Sequence, residues 1–187
     1  MDTLTGYKGK LHVRSELFRM LLIGIFGTGS YILPIGNEFS YTLESNNLLV
    51  IKTGMMIHHG NVSYVDSKSG DQVTLTNGTQ GMKRIDLVVN RYSMDESTGV
   101  ESNEWVHIPG TPDASAPVAP AYTEGNVMDG DLVDDCPVFK IELDGLNITK
   151  ITKLVPEHPG LQRQITGGTE EPSGGNDGDV YIQYEEE

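Results

Sequence analysis

From residue 31 onward the chain is built of short apolar or alternating runs separated by turn residues, and this punctuation constrains the fold more than any other feature. The runs are Tyr31 to Ile35, Phe39 to Leu43, Leu48 to Lys52, Met55 to His58, Val62 to Val65, Val73 to Thr76, Ile85 to Tyr92, Glu104 to Ile108, Val138 to Leu143 and Ile148 to Val155. Each is too short for a stable helix and rich in β-branched or aromatic residues. Ser45-Asn46-Asn47, Lys68-Ser69-Gly70-Asp71, Asn77-Gly78 and Asp144-Gly145 supply turns, the last as a two-residue hairpin signal. The expectation is a mainly β protein, an antiparallel β-sandwich or barrel-like domain.

Two runs carry the core on this reading. In Arg84 to Tyr92, Ile85, Leu87, Val89 and Arg91 share one face and Asp86, Val88, Asn90 and Tyr92 the other, so a single face is cleanly apolar. In Glu104 to Ile108, Trp105 stands with His107. Between them, Ser93 to Asn103 reads as a long polar hairpin loop.

Ahead of the β region, Val13, Leu17, Leu21 and Ile25 recur every four residues with Phe18 and Leu22 beside them, which predicts one short amphipathic helix. Ser15 is a candidate cap, Arg14 and Arg19 are polar positions, and Gly24, Gly27 and Gly29 end the helix. Before it, Thr5 to Lys10 reads as an extended arm. Residues 109–124, with Pro109, Pro112, Pro117 and Pro120, form a semi-rigid strap over the surface. Residues from about 156 to 179 have the composition of a linker, and Asp179 to Tyr184 alternates like a strand before three glutamates. The expected organisation is an arm and anchoring helix in residues 1–30, a β domain in 31–155, and a linker with extended acidic tail in 156–187.

Charge narrows the function. Residues 1–94 carry 9 Lys+Arg and 7 Asp+Glu, whereas 95–187 carry 4 and 20. No basic cluster exists beyond Lys83-Arg84, so nucleic-acid binding is not expected. The carboxylates read as solvated loops and tail, or as an acidic face for a basic partner. The single cysteine, Cys136, forbids an intramolecular disulfide and reads as a small buried hydrophobe preceding Pro137 at a strand start. Leu17 to Phe26 is too short to span a membrane and lacks a signal peptide's basic leader, so a cytosolically made, soluble protein is expected.

Motif candidates resolve mostly to structure. Gly24 to Ser30 lacks the lysine of a phosphate loop and reads as helix termination. His58-His59 is the one adjacent pair of imidazoles. Alternation sends strand neighbours to opposite faces, so the pair binds one metal, or acts as a proton switch, only where one His from each symmetric subunit converges on an axis, and otherwise consists of ordinary strand or turn histidines. Asp129 to Asp135 and Asn176 to Asp179 offer oxygens for calcium but do not fit its twelve-residue loop, and read as turns with solvated carboxylates. No G-x-S-x-G, H-E-x-x-H or Cys/His signature appears, and a carboxylate pair brought together in space is the one arrangement left open, so neither an enzyme nor a cofactor is expected.

Several segments taken in order carry a resemblance: Asp2-Thr-Leu-Thr-Gly-Tyr-Lys-Gly-Lys-Leu-His-Val13, Gly24-Ile-Phe-Gly-Thr-Gly-Ser-Tyr-Ile-Leu33, Gly54-Met-Met-Ile-His-His-Gly60, Asn77 to Tyr92, and Gly110-Thr-Pro with Pro120-Ala-Tyr-Thr-Glu-Gly125. Over roughly residues 1–155 the chain resembles the amino-terminal region of tail and baseplate structural proteins, including receptor-binding and upper-baseplate components, from phages and prophages of Gram-positive gut bacteria. The resemblance implies a non-enzymatic virion part, located in the tail or baseplate, that anchors or adapts host-recognition components. Its partners would be itself, as a homotrimer or larger ring, and other tail proteins. Longer relatives continue into a stalk and recognition head, so this chain is expected to be an adaptor. The apolar helix suggests a docking element, with Tyr7, Phe18, Leu21, Leu22, Ile25, Phe26, Val180, Tyr181, Ile182 and Tyr184 as interface candidates. The alternatives are a module that binds host-surface polysaccharide through exposed Tyr92, Trp105 or Tyr122, and a capsid-attached fibre or decoration protein.

Overall fold

The computed structural model describes residues 14–158, 165–169, 171, 173 and 180–184. Helix α1 (Ser15–Phe26) is followed by β1 (Ser30–Leu33), β2 (Tyr41–Ser45), β3 (Leu48–Ile51), β4 (Gly54–His58), β5 (Asn61–Val65), β6 (Asp71–Thr74), β7 (Lys83–Met94) and β8 (Glu101–Ile108). After a 3₁₀ turn at Val127–Asp129 come β9 (Val133–Asp144), β10 (Asn147–Lys153), β11 (Ile165–Gly168) and β12 (Val180–Gln183). The protein is mainly β. Three antiparallel sheets, ordered β1-β4-β5, β2-β3-β6 and β10-β9-β7-β8, make a sandwich-like domain.

All three sheets feed one core. Ile32 of β1, Met56 of β4, Leu49 and Ile51 of β3, Val88 of β7, and Val138, Phe139 and Ile141 of β9 are fully buried within it. Each such side chain contributes about 1.5–3 kcal/mol by leaving water. Trp105 packs against this core, meeting Phe39 edge-on at 5.4 Å and tilting over Phe139.

Turn chemistry sets the register. Asn46 and Asn47 join β2 to β3, and Lys68-Ser69 turns the chain into β6. The last hairpin forms one residue later than expected: Asp144 pairs with Asn147, so Gly145 and Leu146 are the loop. Gly145 has φ +60°, which a type II′ turn demands of its first central residue. Asn77-Gly78 makes no turn. A side chain on Gly78 would sit 2.0 Å from the Gly145 carbonyl, so glycine serves there for close backbone approach.

Four further expectations are corrected. First, the polar face of β7 is the more deeply buried: Val88 is 0% exposed, Asp86 1%, Tyr92 2% and Arg84 5%. Arg84 and Asp86 neutralise each other there, which a pattern read as apolar against polar does not register. Second, β7 and β8 extend into the polar segment, leaving only residues 95–100 as loop, with the Asp95 carboxylate accepting from the Ser97 and Thr98 amides. Third, β11 lies within the presumed linker and pairs in parallel with β12. A four-residue Ile-Thr-Gly-Gly run shows no alternation, so backbone pairing alone defines it. Fourth, β9 begins at Val133, placing Cys136 inside a strand, and Val138 is an extra residue bulged beside Pro137.

The strap has no strand of its own and is pinned to the sheet. Asp113 exchanges backbone hydrogen bonds with Lys83, Gly110 N–H donates to Asp86 (2.9 Å), and Thr123 N–H donates to Asp135 (3.0 Å). Asp135 is also held by a bidentate bond from Arg91 at 2.6 and 2.8 Å.

Candidate functional site

Helix α1 is fastened to the body through a residue read as polar. Arg19, assigned to the polar face, is its one buried residue; it donates to Glu101 at 2.7 Å and lies 5.4 Å from the centre of the Tyr92 ring. Ile23 and the Arg19 carbonyl press on Gly60. The position before the helix is Arg14 rather than Ser15, and it makes no side-chain cap; Gly24 lies inside the helix and Gly27 ends it. Phe18, Leu21 and Ile25 are 47%, 46% and 46% exposed. Spaced at i, i+3 and i+7, they form one apolar stripe turned away from the core. Leu22 and Phe26 are half-buried, and Phe26 meets His158 edge-on.

Of the tail candidates, Ile182 and Tyr184 are exposed and Tyr181 is partly buried, while Val180 opens β12. Tyr7 lies outside the described residues. The glycan candidates do not form a common surface. Tyr92 is buried, with its hydroxyl on Glu101, because β7 turns that face inward; Trp105 packs on the core, and Tyr122 alone is exposed.

The structure brings His58 and His59 together, contrary to the alternation argument. His58 is the last residue of β4, but His59 is the first of a two-residue hairpin turn, with φ +48° at His59 and +77° at Gly60. Positive φ at both central positions is the signature of a type I′ turn. The left-handed backbone swings the His59 ring over that of His58, and the two stack at 3.9 Å. A His-Gly pair between two alternating runs was the available sequence signal, since His is enriched in this conformation.

Both rings face Asp134 of β9, whose carboxylate is 1% exposed. His59 Nδ1 is 2.8 Å from Oδ2, and the Gly125 amide donates to Oδ1 at 3.2 Å. His58 Nε2 is 3.2 Å from Oδ1 but out of line, so it is a buried nitrogen with no hydrogen-bond partner. On its other side, His58 Nδ1 is 2.7 Å from Ser30 Oγ. Burial alone would raise the Asp134 pKa, but His58 and His59 outweigh it and hold the carboxyl below its ordinary value. Asp134 and Asp135 are therefore buried and paired rather than solvated.

These groups line a cavity of about 790 Å³ with Tyr122 and Cys136. Burial pushes the Cys136 thiol up to about 12, so it stays protonated and behaves as the small hydrophobe expected. Ser30, His58 and Asp134 have the residue types of a nucleophile relay, yet the carboxylate lacks the in-line bond that would fix the imidazole. The ligand atoms of His58, His59 and Asp134 lie within 4.8 Å of one another, and among the described residues this is the one cluster able to hold a metal ion. No family model, curated protein or solved structure matches the chain.

Proposed function

We propose that this protein is a non-enzymatic structural component of a phage tail or baseplate, which self-associates through α1 and anchors or adapts host-recognition components. The observation that carries the reading is the Phe18-Leu21-Ile25 stripe, exposed on a helix that is itself fastened to the domain by Arg19. An amphipathic helix normally turns its apolar stripe to its own core; one turned outward and held in place is a surface made for another subunit. The ordered segment resemblance supplies the virion setting. Symmetric copies would bury the stripe in a closed ring or trimer, and the exposed Ile182 of β12 with Tyr184 just beyond it adds a second apolar edge.

The test is light scattering coupled to gel filtration of the full chain, beside a variant carrying Phe18→Glu, Leu21→Glu and Ile25→Glu. Wild type should be a defined oligomer and the variant a folded monomer with unchanged circular dichroism. In particles, immunogold should label the tail and lose the label in the variant. A monomeric wild type at high concentration, an assembling variant, or label on the head would overturn the reading.

A further inference from the structure

We infer that His58, His59 and Asp134 form a binding site for a divalent transition-metal ion of the zinc class, bound through His58 Nε2, His59 Nδ1 and an Asp134 carboxylate oxygen. Four observations converge on it. The carboxylate is almost fully buried and is approached by two imidazole nitrogens at 3.2 and 2.8 Å. Ligands about 2.1 Å from a tetrahedral ion are about 3.4 Å apart, and the three donor atoms already lie within 4.8 Å of one another, close enough for side-chain adjustment to admit it. His58 Nε2 is buried and has no hydrogen-bond partner, a deficit that coordination removes. Ser30 Oγ sits 2.7 Å from the opposite nitrogen, where it can accept from Nδ1–H and leave the Nε2 lone pair free. A metal-binding histidine ordinarily has such an outer partner.

The donor set selects the ion. Two imidazoles with one carboxylate suit zinc and its first-row neighbours, whereas calcium and magnesium require mostly oxygen. Because the three residues also line the cavity, a fourth position faces a space large enough for water or an exogenous ligand. The left-handed conformation of His59 is what brings the second ring to the carboxylate, so the site needs only one chain. Bound metal would tie the β4–β5 turn to β9 directly beside Gly60, on which α1 rests.

The experiment uses full-length protein without a histidine tag, stripped with chelator and titrated with Zn²⁺ alone by calorimetry. Co²⁺ serves as the spectroscopic probe. One Zn²⁺ per chain, a tetrahedral Co²⁺ visible spectrum without thiolate charge transfer, and a melting temperature that rises with Zn²⁺ are expected. His59→Asn tolerates the positive φ and should fold while binding at least ~100-fold more weakly, because it loses a ligand outright; even outer-shell changes cost about 10–100-fold. His59→Gly, equally compatible with the turn, is the second variant should Asn fold poorly. Ser30→Ala should weaken binding by about 10–100-fold. Failure of stripped wild type to bind zinc stoichiometrically, or wild-type affinity in both His59 variants, would overturn the assignment; unchanged affinity in Ser30→Ala would remove Ser30's positioning role.

Discussion

Replacing Asp86 with alanine tests the most polar part of the core. Its carboxylate, 1% exposed, accepts from Arg84 Nε at 2.7 Å and Nη2 at 2.9 Å, from the Gly110 amide at 2.9 Å, and faces His107 Nε2 at 2.9 Å. Arg84, 5% exposed, also donates to the carbonyls of Thr76 (2.6 Å) and Asn77 (3.0 Å). The substitution leaves a buried guanidinium without counter-charge, for which the expected loss is about 3–5 kcal/mol. That corresponds to a fall in melting temperature of about 6–20 °C for a chain of this size. Urea unfolding followed by Trp105, the single tryptophan, measures it. The double variant Arg84→Met, Asp86→Leu removes both charges and should cost less than Asp86→Ala alone, since the penalty lies in the stranded charge rather than the lost attraction. Acid provides an independent check. Burial by itself raises the Asp86 pKa, but the bonds from His107, Arg84 and Gly110 outweigh it and leave the carboxyl below its ordinary value. Its contribution is therefore full above the unfolded pKa of about 3.9 and is lost as pH falls through the lower folded value. Stability of Asp86→Ala should accordingly decline less steeply in that acid range. A loss below about 1 kcal/mol, or a double variant worse than the single one, would refute the reasoning, because a buried charge would then be tolerated unpaired.

Two further outcomes follow from local geometry. Gly60→Ala places a Cβ 2.8 Å from Ile23 and 2.9 Å from the Arg19 carbonyl at φ +77°, so it should cost at least about 1–2 kcal/mol from the backbone alone and raise hydrogen exchange throughout α1; unchanged exchange would show that the helix does not rest there. With its pKa at about 12, Cys136 should resist alkylation at pH 8 in the native state and react promptly in denaturant, and rapid native modification would contradict its burial.

The Tyr31 to Ile35 run and its successors, through Ile148 to Val155, each overlap a strand, because alternation and turn chemistry are local properties written in adjacent residues. The hairpins at Asn46-Asn47 and near Gly145 were legible for the same reason. So was the existence of α1, though not its orientation. Periodicity establishes that a helix has two faces; which face is buried depends on what the rest of the chain offers, and Glu101 and Tyr92 offered a place for Arg19. Likewise the alternation in β7 put Asp86 on the face opposite the cleanly apolar one, and only the tertiary structure buries it beside the Arg84 guanidinium that neutralises it. The His58, His59 and Asp134 cluster needed both levels: a left-handed turn at His59, hinted at by the following glycine, and a carboxylate 75 residues away in sequence. The sequence by itself determined the strands, the turns and one helix, because those follow from the conformational preferences of neighbouring residues. Tertiary structure alone decided which charges are buried, which apolar stripe is left facing outward and which distant donors meet, since each depends on burial and partners that only the assembled sheets supply.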